Sequence, residues 1–210
     1  MKHLYIVGAG GFGREVFNWL EDLDANGKEW EVMGFLDDDL AALKDFDYPK
    51  SVVGSIKDHQ PRPKEVYVCG IGSHDHKRVL CEALKAKGAK FISIVHPSVR
   101  IGRNVKLGDG VVLCPGVTLT CDIEVGAMSM INCHTSVGHD AKIGDWVTIS
   151  ANCDLTGCTE VSEGAFFGSG SRVIPGKKVG AASIVGAGSV VIRDVPKGVS
   201  VFGNPARIFN

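Results

Sequence analysis

Apolar residues recur with a period of six in the second half of the chain. From Ile101 to Val191 every sixth residue is Ile, Leu, Val or Phe, which gives sixteen positions in one unbroken register. This period matches neither the 3.6 residues of a helix nor the two residues of a strand. It is typical of a parallel β-helix, in which three repeats of six form one coil and residues three repeats apart are neighbours on successive coils, about 4.8 Å apart. The pattern predicts about five coils, with these apolar side chains stacked inside.

The first half of the chain alternates short apolar runs with helical patterns. The segments HLYIV, EVMGFL, EVYVC and KFISIV have the composition of buried strands. Between the first two, Val16, Phe17, Leu20 and Leu23 share one helical face, with Gly27 as a stop signal. The segment HKRVLCEALKAKG predicts a second helix that ends at its final glycine. Strands that alternate with helices indicate a small parallel α/β domain.

Together these patterns predict a Rossmann-like α/β domain followed by an all-β parallel β-helix. We place the domains at residues 1–94 and 95–210, with the segment HPSV as the junction. A chain of 210 residues, 44% of them hydrophobic, can bury a sizeable core.

Charge and cysteine content exclude several classes of partner. The chain has 23 basic and 24 acidic residues and a formal net charge of -1, so no overall field attracts nucleic acid or an anionic membrane. No apolar run approaches the roughly 20 residues that span a bilayer, and the N-terminus does not resemble a secretion leader. We therefore expect a cytoplasmic protein. Its seven cysteines form no CxxC and match no zinc spacing, which predicts free thiols and no metal site.

Gly8, Gly10 and Gly13 form a GxGxxG between the first strand and the first helix. Glycines there let a phosphate approach the backbone and the unpaired N–H groups of the helix N-terminus. Asp37 and Asp38 end the second strand, where an acid can bind a ribose or a base. The alternative is a glycine turn that only packs strand against helix. Because the domain holds only half of a doubly wound sheet, a nucleotide attached to a substrate fits better than a redox cofactor.

One histidine-acid pair interrupts the repeat, at His139 and Asp140. Gly157 follows His139 by three repeats and therefore lies beside it on the next coil. A histidine in this position can act as a general base, and the alternative is a polar corner residue without chemistry. His134, one turn earlier, is expected to be a pocket wall or a surface residue. Cys121, three repeats before His139, leaves a covalent route through its thiol open, although a route without a covalent intermediate is favoured.

Motifs along the whole chain resemble a known family. The segments GAGGFGREV, LDDD, IGS, VGHDAKIGD and GNPARI occur in the order found in the sialic acid O-acetyltransferase/UDP-4-amino-sugar N-acetyltransferase family of left-handed β-helix acyltransferases. The resemblance implies left-handed coiling and a homotrimer with acetyl-CoA in the cleft between neighbouring chains. It also implies an N-terminal domain that holds a nucleotide-linked sugar.

The resemblance assigns roles to individual residues. His139 is the catalytic base, Asp140 is its acid partner, and the Gly157 N–H faces the acetyl carbonyl. Ala187 contacts the CoA arm through its backbone, and Asn132 lines the same pocket as the base. The residues assigned to the nucleotide-sugar are Gly8, Gly10, Gly13, Asp37, Asp38, Gly72 and Ser73.

Other residues are open or depart from the family pattern. Many relatives have His where Phe12 stands, and some N-acetyltransferases have a second histidine at the position of Thr148. His74 and His76 begin a helix beside the nucleotide turn and are expected to be solvated. Surface basic residues usually bind nothing specific, but in an intersubunit cleft one or two would meet the CoA phosphates. The candidates are Lys177, Lys178, Arg193 and Arg207, of which we select Lys177 and Arg207.

The expected function is N-acetylation, with acetyl-CoA, of a nucleotide-linked 4-amino-4,6-dideoxyhexose for a bacterial glycan. The alternatives are O-acetylation of a sialic acid or another sugar and, more distantly, a non-catalytic nucleotide-sugar-binding scaffold. The residues do not distinguish a UDP, dTDP or GDP sugar.

Overall fold

The computed structural model describes residues 1–23 and 29–209. The chain divides into two compact units, Met1–Ser93 and Ile94–Asn210. None of the helices in the described part is long and apolar enough to cross a membrane.

The described residues of the first unit form a parallel sheet with helices packed on it. In chain order the elements are β1 (Lys2–Val7), α1 (Gly11–Glu21), β2 (Trp30–Leu36), β3 (Val52–Gly54), β4 (Glu65–Cys69) and α2 (His74–Ala86). The strands have the order β3-β2-β1-β4, and each neighbouring pair is parallel. Strand β1 pairs with β4 from His3 to Val7, so the turns after both strands meet at one edge of the sheet.

The local predictions for this unit fail at three points. Helix α1 buries Val16, Phe17 and Leu20 but ends at Glu21, so Leu23 is outside it, and Gly27 is outside the described residues. The short edge strand β3 had no apolar run that would reveal it. The segment KFISIV is not one strand, because Phe91 forms a single bridge beside Tyr67 while Ile94 pairs in the second unit.

The second unit is the predicted parallel β-helix, made mostly of two-residue strands and four-residue turns. From Ile94 to Val173 each strand pairs in parallel with the strand one coil later, as in the pairing of Ser136 with Asp154. The strands are β5 (Ile94–Val95), β6 (Arg100–Ile101), β7 (Lys106–Leu107), β8 (Val112–Leu113), β9 (Thr118–Leu119), β10 (Glu124–Val125), β11 (Met130–Ile131), β12 (Ser136–Val137), β13 (Lys142–Ile143), β14 (Thr148–Ile149), β15 (Asp154–Leu155), β16 (Glu160–Val161), β17 (Phe166–Phe167), β18 (Arg172–Val173), β19 (Lys178–Val179), β20 (Ile184–Val185), β21 (Val190–Val191), β22 (Ser200–Phe202) and β23 (Arg207–Ile208).

The strands of the β-helix form three faces. Within the described residues these faces hold five, six and eight strands, and the last face ends with β23 antiparallel to β22. The predicted number of about five coils agrees with the face of five strands and is low for the other two. The left-handed sense of the coil stays a prediction from the family resemblance.

The apolar residues at every sixth position form the core of the β-helix. From Leu113 to Val191 all of them are buried, whereas Leu107 is partly buried and Ile101 is 44% exposed at the first coil. Small second-position residues let successive coils approach closely, as predicted. A Cβ added to Gly138 would lie 2.5 Å from the Gly157 nitrogen.

Many corner residues of the β-helix adopt the left-handed backbone conformation. One such column contains Asn104, Asp122, Asp140 and Cys158, which have φ between 56° and 58° and lie on four successive coils. Asn and Asp tolerate this conformation better than most side chains. The column runs along one corner of the β-helix and supplies the acid of the histidine-acid pair.

One face of the β-helix carries an alternating ladder of charges. Its strands β7, β10, β13, β16 and β19 place a basic and an acidic residue on successive rungs. The Lys106 and Glu124 side chains are 3.0 Å apart, and those of Lys178 and Glu160 are 2.8 Å apart. Each exposed pair contributes at most about 1 kcal/mol to the stability of the fold. A shift in the register by which coils pair would instead place like charges beside each other. The ladder is Lys106, Glu124, Lys142, Glu160 and Lys178.

Candidate active site

His139 and Asp140 lie in the turn between β12 and β13. The Nδ1 atom of His139 is 2.7 Å from Oδ2 of Asp140, and both side chains are 61% exposed. The Asp140 backbone is in the left-handed conformation, and its N–H donates to the Cys121 carbonyl on the preceding coil. If Nδ1 carries the proton, Nε2 keeps a free lone pair, which is the arrangement a general base needs.

Gly157 lies directly under the imidazole of His139. A Cβ added to Gly157 would be 2.5 Å from Nε2, so a side chain there would displace the ring. The neighbouring Cys158 N–H donates to the His139 carbonyl at 2.7 Å and fixes the two coils to each other. Within the described residues, the Gly157 N–H donates no hydrogen bond. The predicted base, acid and glycine are therefore together at one corner.

Asp122 lies one coil before Asp140 and was missed by the sequence analysis. Asn104 Nδ2 donates to Asp122 Oδ1 at 2.7 Å. The hydrogen bond from Asn104 lowers the pKa of Asp122, with smaller contributions from the Cys121 thiol and the nearby His139. Because Asp122 follows Asn104 and precedes Asp140 by one full coil each, the coil spacing alone could have identified it.

Cys121 is poorly suited to be a nucleophile. Its hydrogen bond to Asp122 raises the pKa of the thiol, and the charges of Asp122 and Asp140 act in the same direction. A higher thiol pKa leaves less of the reactive thiolate at neutral pH. This arrangement therefore does not favour a covalent intermediate on Cys121.

The same corner contains a set of possible metal ligands that the cysteine spacing did not predict. One atom each from His139, Asp140 and Cys158 lie within 4.8 Å of one another. All three residues are exposed. In the part of the chain that is described, this is the one such group of three or more His, Cys, Asp and Glu residues.

His134 is exposed, within the prediction of a pocket wall or a surface residue, and its contacts and those of Asn132 and Thr148 are as follows. His134 covers Gly116 on the preceding coil, where an added Cβ would be 2.5 Å from its Nδ1. The Asn132 Oδ1 accepts from the Cys133 N–H at 2.6 Å, so the backbone occupies part of its hydrogen-bonding capacity. Thr148 is 1% exposed. Neither of these contacts joins His134 or Asn132 to His139.

Six of the seven predicted nucleotide residues line a cavity of about 430 Å³ in the first unit. Helix α1 begins after Gly10 without a side-chain cap, and an added Cβ at Gly10 or Gly11 would contact no atom within 4 Å. A phosphate can therefore approach these N–H groups. Gly13 is not in the lining, since its Cα packs against the Gly8 carbonyl. The predicted residues that line the cavity are Gly8, Gly10, Asp37, Asp38, Gly72 and Ser73.

Both acids of this cavity also hold the protein's own backbone. Asp37 Oδ2 accepts from the Ala9 N–H at 2.7 Å and fixes the glycine turn to the end of β2. Asp38 Oδ1 accepts from Ser55 Oγ and the Lys57 N–H. The hydrogen bond from the Lys57 N–H, followed by the one from Ser55, lowers the pKa of Asp38, so its carboxylate stays ionised at neutral pH. Each carboxylate accepts two hydrogen bonds from the protein and has further lone pairs that can accept from a ligand.

Phe12 and His76 form part of the same cavity wall. Phe12 meets Trp19 edge-on, with the ring centroids 5.8 Å apart. Phe12 thus gives this cavity an apolar wall.

The residues predicted to bind acetyl-CoA are spread over the second unit. Ala187 is exposed, and Lys177 is partly exposed. Arg207 lines a cavity of about 380 Å³ near the C-terminus together with Arg193, which was a weaker candidate. The structure brings the two guanidinium groups to one cavity but does not bring Lys177 or Ala187 to it.

A buried cluster in the first unit was missed entirely by the sequence analysis. The thiols of Cys69 and Cys81 are 3.6 Å apart, and Lys77 is 1% exposed beside them. Burial lowers the pKa of Lys77 to about 8, opposed by the charges of the two cysteines. The hydrogen bond from Cys81 lowers the pKa of Cys69. The position of Lys77 on the buried face of α2 is the one sequence signal for this cluster.

Comparisons with known proteins match both units. The model of the PglD N-terminal domain family matches residues 3–84. GDP-perosamine N-acetyltransferase of Escherichia coli O157:H7 is 29% identical, over 96% of this chain and 94% of the relative. The crystal structure of PerB from Caulobacter crescentus, in complex with CoA and GDP-perosamine, is 31% identical with a TM-score of 0.86 and covers 100% of this chain and 98% of that one. WeeI from Acinetobacter baumannii AYE has a TM-score of 0.88 at 28% identity, over 100% of both chains.

Proposed function

Because the chain belongs to the sialic acid O-acetyltransferase/UDP-4-amino-sugar N-acetyltransferase family of hexapeptide-repeat acyltransferases, we propose that it transfers the acetyl group of acetyl-CoA to a nucleotide-linked amino sugar. The acceptor we propose is the 4-amino group of GDP-perosamine, a 4-amino-4,6-dideoxy sugar. Two full-length relatives named above act on or bind this compound. Such a reaction would serve the synthesis of a bacterial glycan in the cytoplasm.

The observation that carries the proposal is the placement of His139 between Asp140 and Gly157. In the proposed reaction the sugar amine attacks the thioester carbon, and Nε2 of His139 accepts the proton of the amine. Asp140, 2.7 Å from Nδ1, stabilises the imidazolium that forms. The N–H of Gly157 donates to the oxyanion, and the thiolate of CoA leaves.

The nucleotide is proposed to bind in the cavity of the first unit. The uncapped N–H groups at Gly10 and Gly11 suit its diphosphate, and the ionised Asp38 suits donor groups of the ribose or base. For acetyl-CoA we propose Ala187, Lys177 and Arg207, with Arg193 beside Arg207 as an additional contact for its phosphates. Asn132, Gly13, Gly72 and Ser73 keep their proposed roles on the substrate side, although Gly13 acts through packing.

The test is a measurement of CoA release with a panel of acceptors. The panel contains GDP-, UDP- and dTDP-linked 4-amino sugars together with free and CMP-linked sialic acid. Turnover on GDP-perosamine, reduced on the order of 10²- to 10⁴-fold in His139→Asn, is the expected result. The matched control is His134→Asn, because His134 has a φ of 57° that Asn tolerates and is on the same β-helix. It should stay within about twofold of wild type.

Other outcomes would redirect the assignment. Turnover only on a hydroxyl acceptor would make the protein a sugar O-acetyltransferase. Binding of a nucleotide-sugar without any turnover, and without binding of acetyl-CoA, would indicate a scaffold. Equal turnover in wild type and His139→Asn would remove His139 as the base.

We also propose that the protein works as a homotrimer with acetyl-CoA between neighbouring chains. The mass of the assembly, measured by light scattering during gel filtration, should be three times the 22.3 kDa of one chain. A monomer with full turnover would contradict this arrangement.

A further inference from the structure

Cys158 is a nucleophilic side chain at the catalytic corner that the proposed reaction does not use. It follows Gly157, and it occupies the left-handed column of corner residues one coil after Asp140. Its thiol, a carboxylate oxygen of Asp140 and a ring nitrogen of His139 are within 4.8 Å of one another. Three different donor types therefore converge beside the base.

These three donors are those that Zn²⁺ prefers in proteins. Zinc binds a thiolate at about 2.3 Å and an imidazole nitrogen at about 2.0 Å, so ligands of one tetrahedral ion are roughly 3.3–3.7 Å apart. Small rotations of exposed side chains can close distances of up to 4.8 Å to this range. Hydrogen bonds between adjacent coils fix the backbone at Asp140 and Cys158, so the ligands are held on a rigid support.

We propose that a soft divalent cation of the Zn²⁺ class binds His139, Asp140 and Cys158 and thereby blocks the catalytic base. On binding, the Cys158 thiol loses its proton to solvent and forms a metal–sulfur bond, while the neutral imidazole contributes a nitrogen lone pair. That lone pair is then unable to accept a proton from the acceptor amine. The metal binding stands on the geometry alone, whereas the inhibition rests on the proposed function.

Cys121 provides the matched comparison because it lies on the other side of His139. It is one coil before the histidine, as Gly157 is one coil after it. Its thiol is hydrogen-bonded to Asp122, and its Sγ does not belong to the set of converging atoms in the described structure. If Cys158 is a metal ligand, replacing Cys158 should weaken metal binding, whereas replacing Cys121 should not.

The binding test uses tag-free protein from which metal has been removed by a chelator. Co²⁺ is added first, because a thiolate ligand gives it a charge-transfer band, and Zn²⁺ affinity is then measured by competition with a chromophoric chelator. Wild type and Cys121→Ser should bind one ion per chain with the band present. Cys158→Ser and His139→Asn should lose the band or weaken the affinity by at least about tenfold.

Circular dichroism of each variant separates loss of a ligand from loss of the fold. If folded Cys158→Ser keeps the wild-type affinity and band, or if Cys121→Ser loses them, the metal site is wrong. The inhibition is measured as the ratio of acetyl transfer with and without Zn²⁺ in each variant. Wild type should be inhibited and restored by chelator, and Cys158→Ser should require at least about tenfold more Zn²⁺.

The two proposals fail in different ways. Zinc that binds at full occupancy without slowing turnover would overturn the inhibition alone. A protein that binds zinc through Cys158 but turns over none of the acceptors would overturn the proposed function and leave the metal site intact.

Discussion

The imidazole of His139 covers Gly157 so closely that a Cβ on the glycine would lie 2.5 Å from Nε2. The two residues are three repeats apart in sequence and one coil apart in the structure. A residue larger than glycine on the later coil is therefore incompatible with this position of the ring on the earlier one.

Gly157→Ala should inactivate the protein without unfolding it. The added methyl group must push the His139 ring away, and Gly157 does not have the positive φ that strains a side chain. We expect kcat to fall on the order of 10²- to 10³-fold, because the base and the proposed oxyanion donor are both disturbed. Steady-state kinetics measure this loss, with Pro175→Ala at the same corner one coil later as the control. An active Gly157→Ala would show that the ring position is not required.

Two glycines of the nucleotide turn should respond differently to alanine. A Cβ at Gly13 would lie 2.0 Å from the Gly8 carbonyl oxygen, whereas a Cβ at Gly10 meets nothing within 4 Å. Gly13→Ala should destabilise the protein by about 1–3 kcal/mol or more, and Gly10→Ala should fold normally. Urea denaturation gives the stabilities. Calorimetry should show weaker nucleotide-sugar binding in Gly10→Ala, because its methyl group stands where the diphosphate is proposed to lie.

Lys77→Met should stabilise the protein at neutral pH. Burial lowers the pKa of Lys77 from 10.5 to about 8, so below pH 8 the folded state holds a charged amine that the unfolded state keeps in water. Each unit of difference between the two pKa values corresponds to about 1.4 kcal/mol. Burial of the charged amine therefore lowers the free energy of unfolding at pH 7 by roughly 3 kcal/mol.

Above pH 8 the folded amine is neutral while the unfolded one still binds a proton. Wild-type stability should therefore rise with pH between about 8 and 10.5, and the advantage of Lys77→Met should disappear over the same range. Denaturation midpoints at pH 7 and pH 10 test this, with exposed Lys85→Met as the control. If the difference in stability between wild type and Lys77→Met were the same at pH 7 and pH 10, the charge on buried Lys77 would not destabilise the folded state.

Lys142→Glu should weaken the β-helix through its charge ladder. The substitution would put a third acidic residue between Glu124 and Glu160, so three successive rungs would be acidic. We expect a loss of about 0.5–1 kcal/mol at low salt that shrinks at high salt, since exposed charges are screened. Lys142→Gln separates loss of attraction from gain of repulsion and should cost less. Equal melting temperatures in low salt for wild type and Lys142→Glu would exclude a stabilising ladder.

The β-helix could be predicted from sequence because its contacts repeat at a fixed spacing. The same arithmetic placed Gly157 under His139 and would have placed Asp122 and Cys158 beside Asp140. Ile101 and Leu107 departed from the buried pattern because the first coil has no preceding coil to cover it. In the first unit the contacts have no period, so the burial of Lys77 and the bonds from Asp37 to the glycine turn depend on the three-dimensional packing of α2 and β2.

The alternating charges along one face also limit how such a chain can grow or shrink by duplication. Inserting or deleting a single coil would shift the ladder by one rung and bring two lysines or two glutamates together at the seam. Inserting or deleting two coils at once keeps the alternation intact. Changes by an even number of coils should therefore be tolerated better than changes by an odd number, although both preserve the hydrophobic interior equally well.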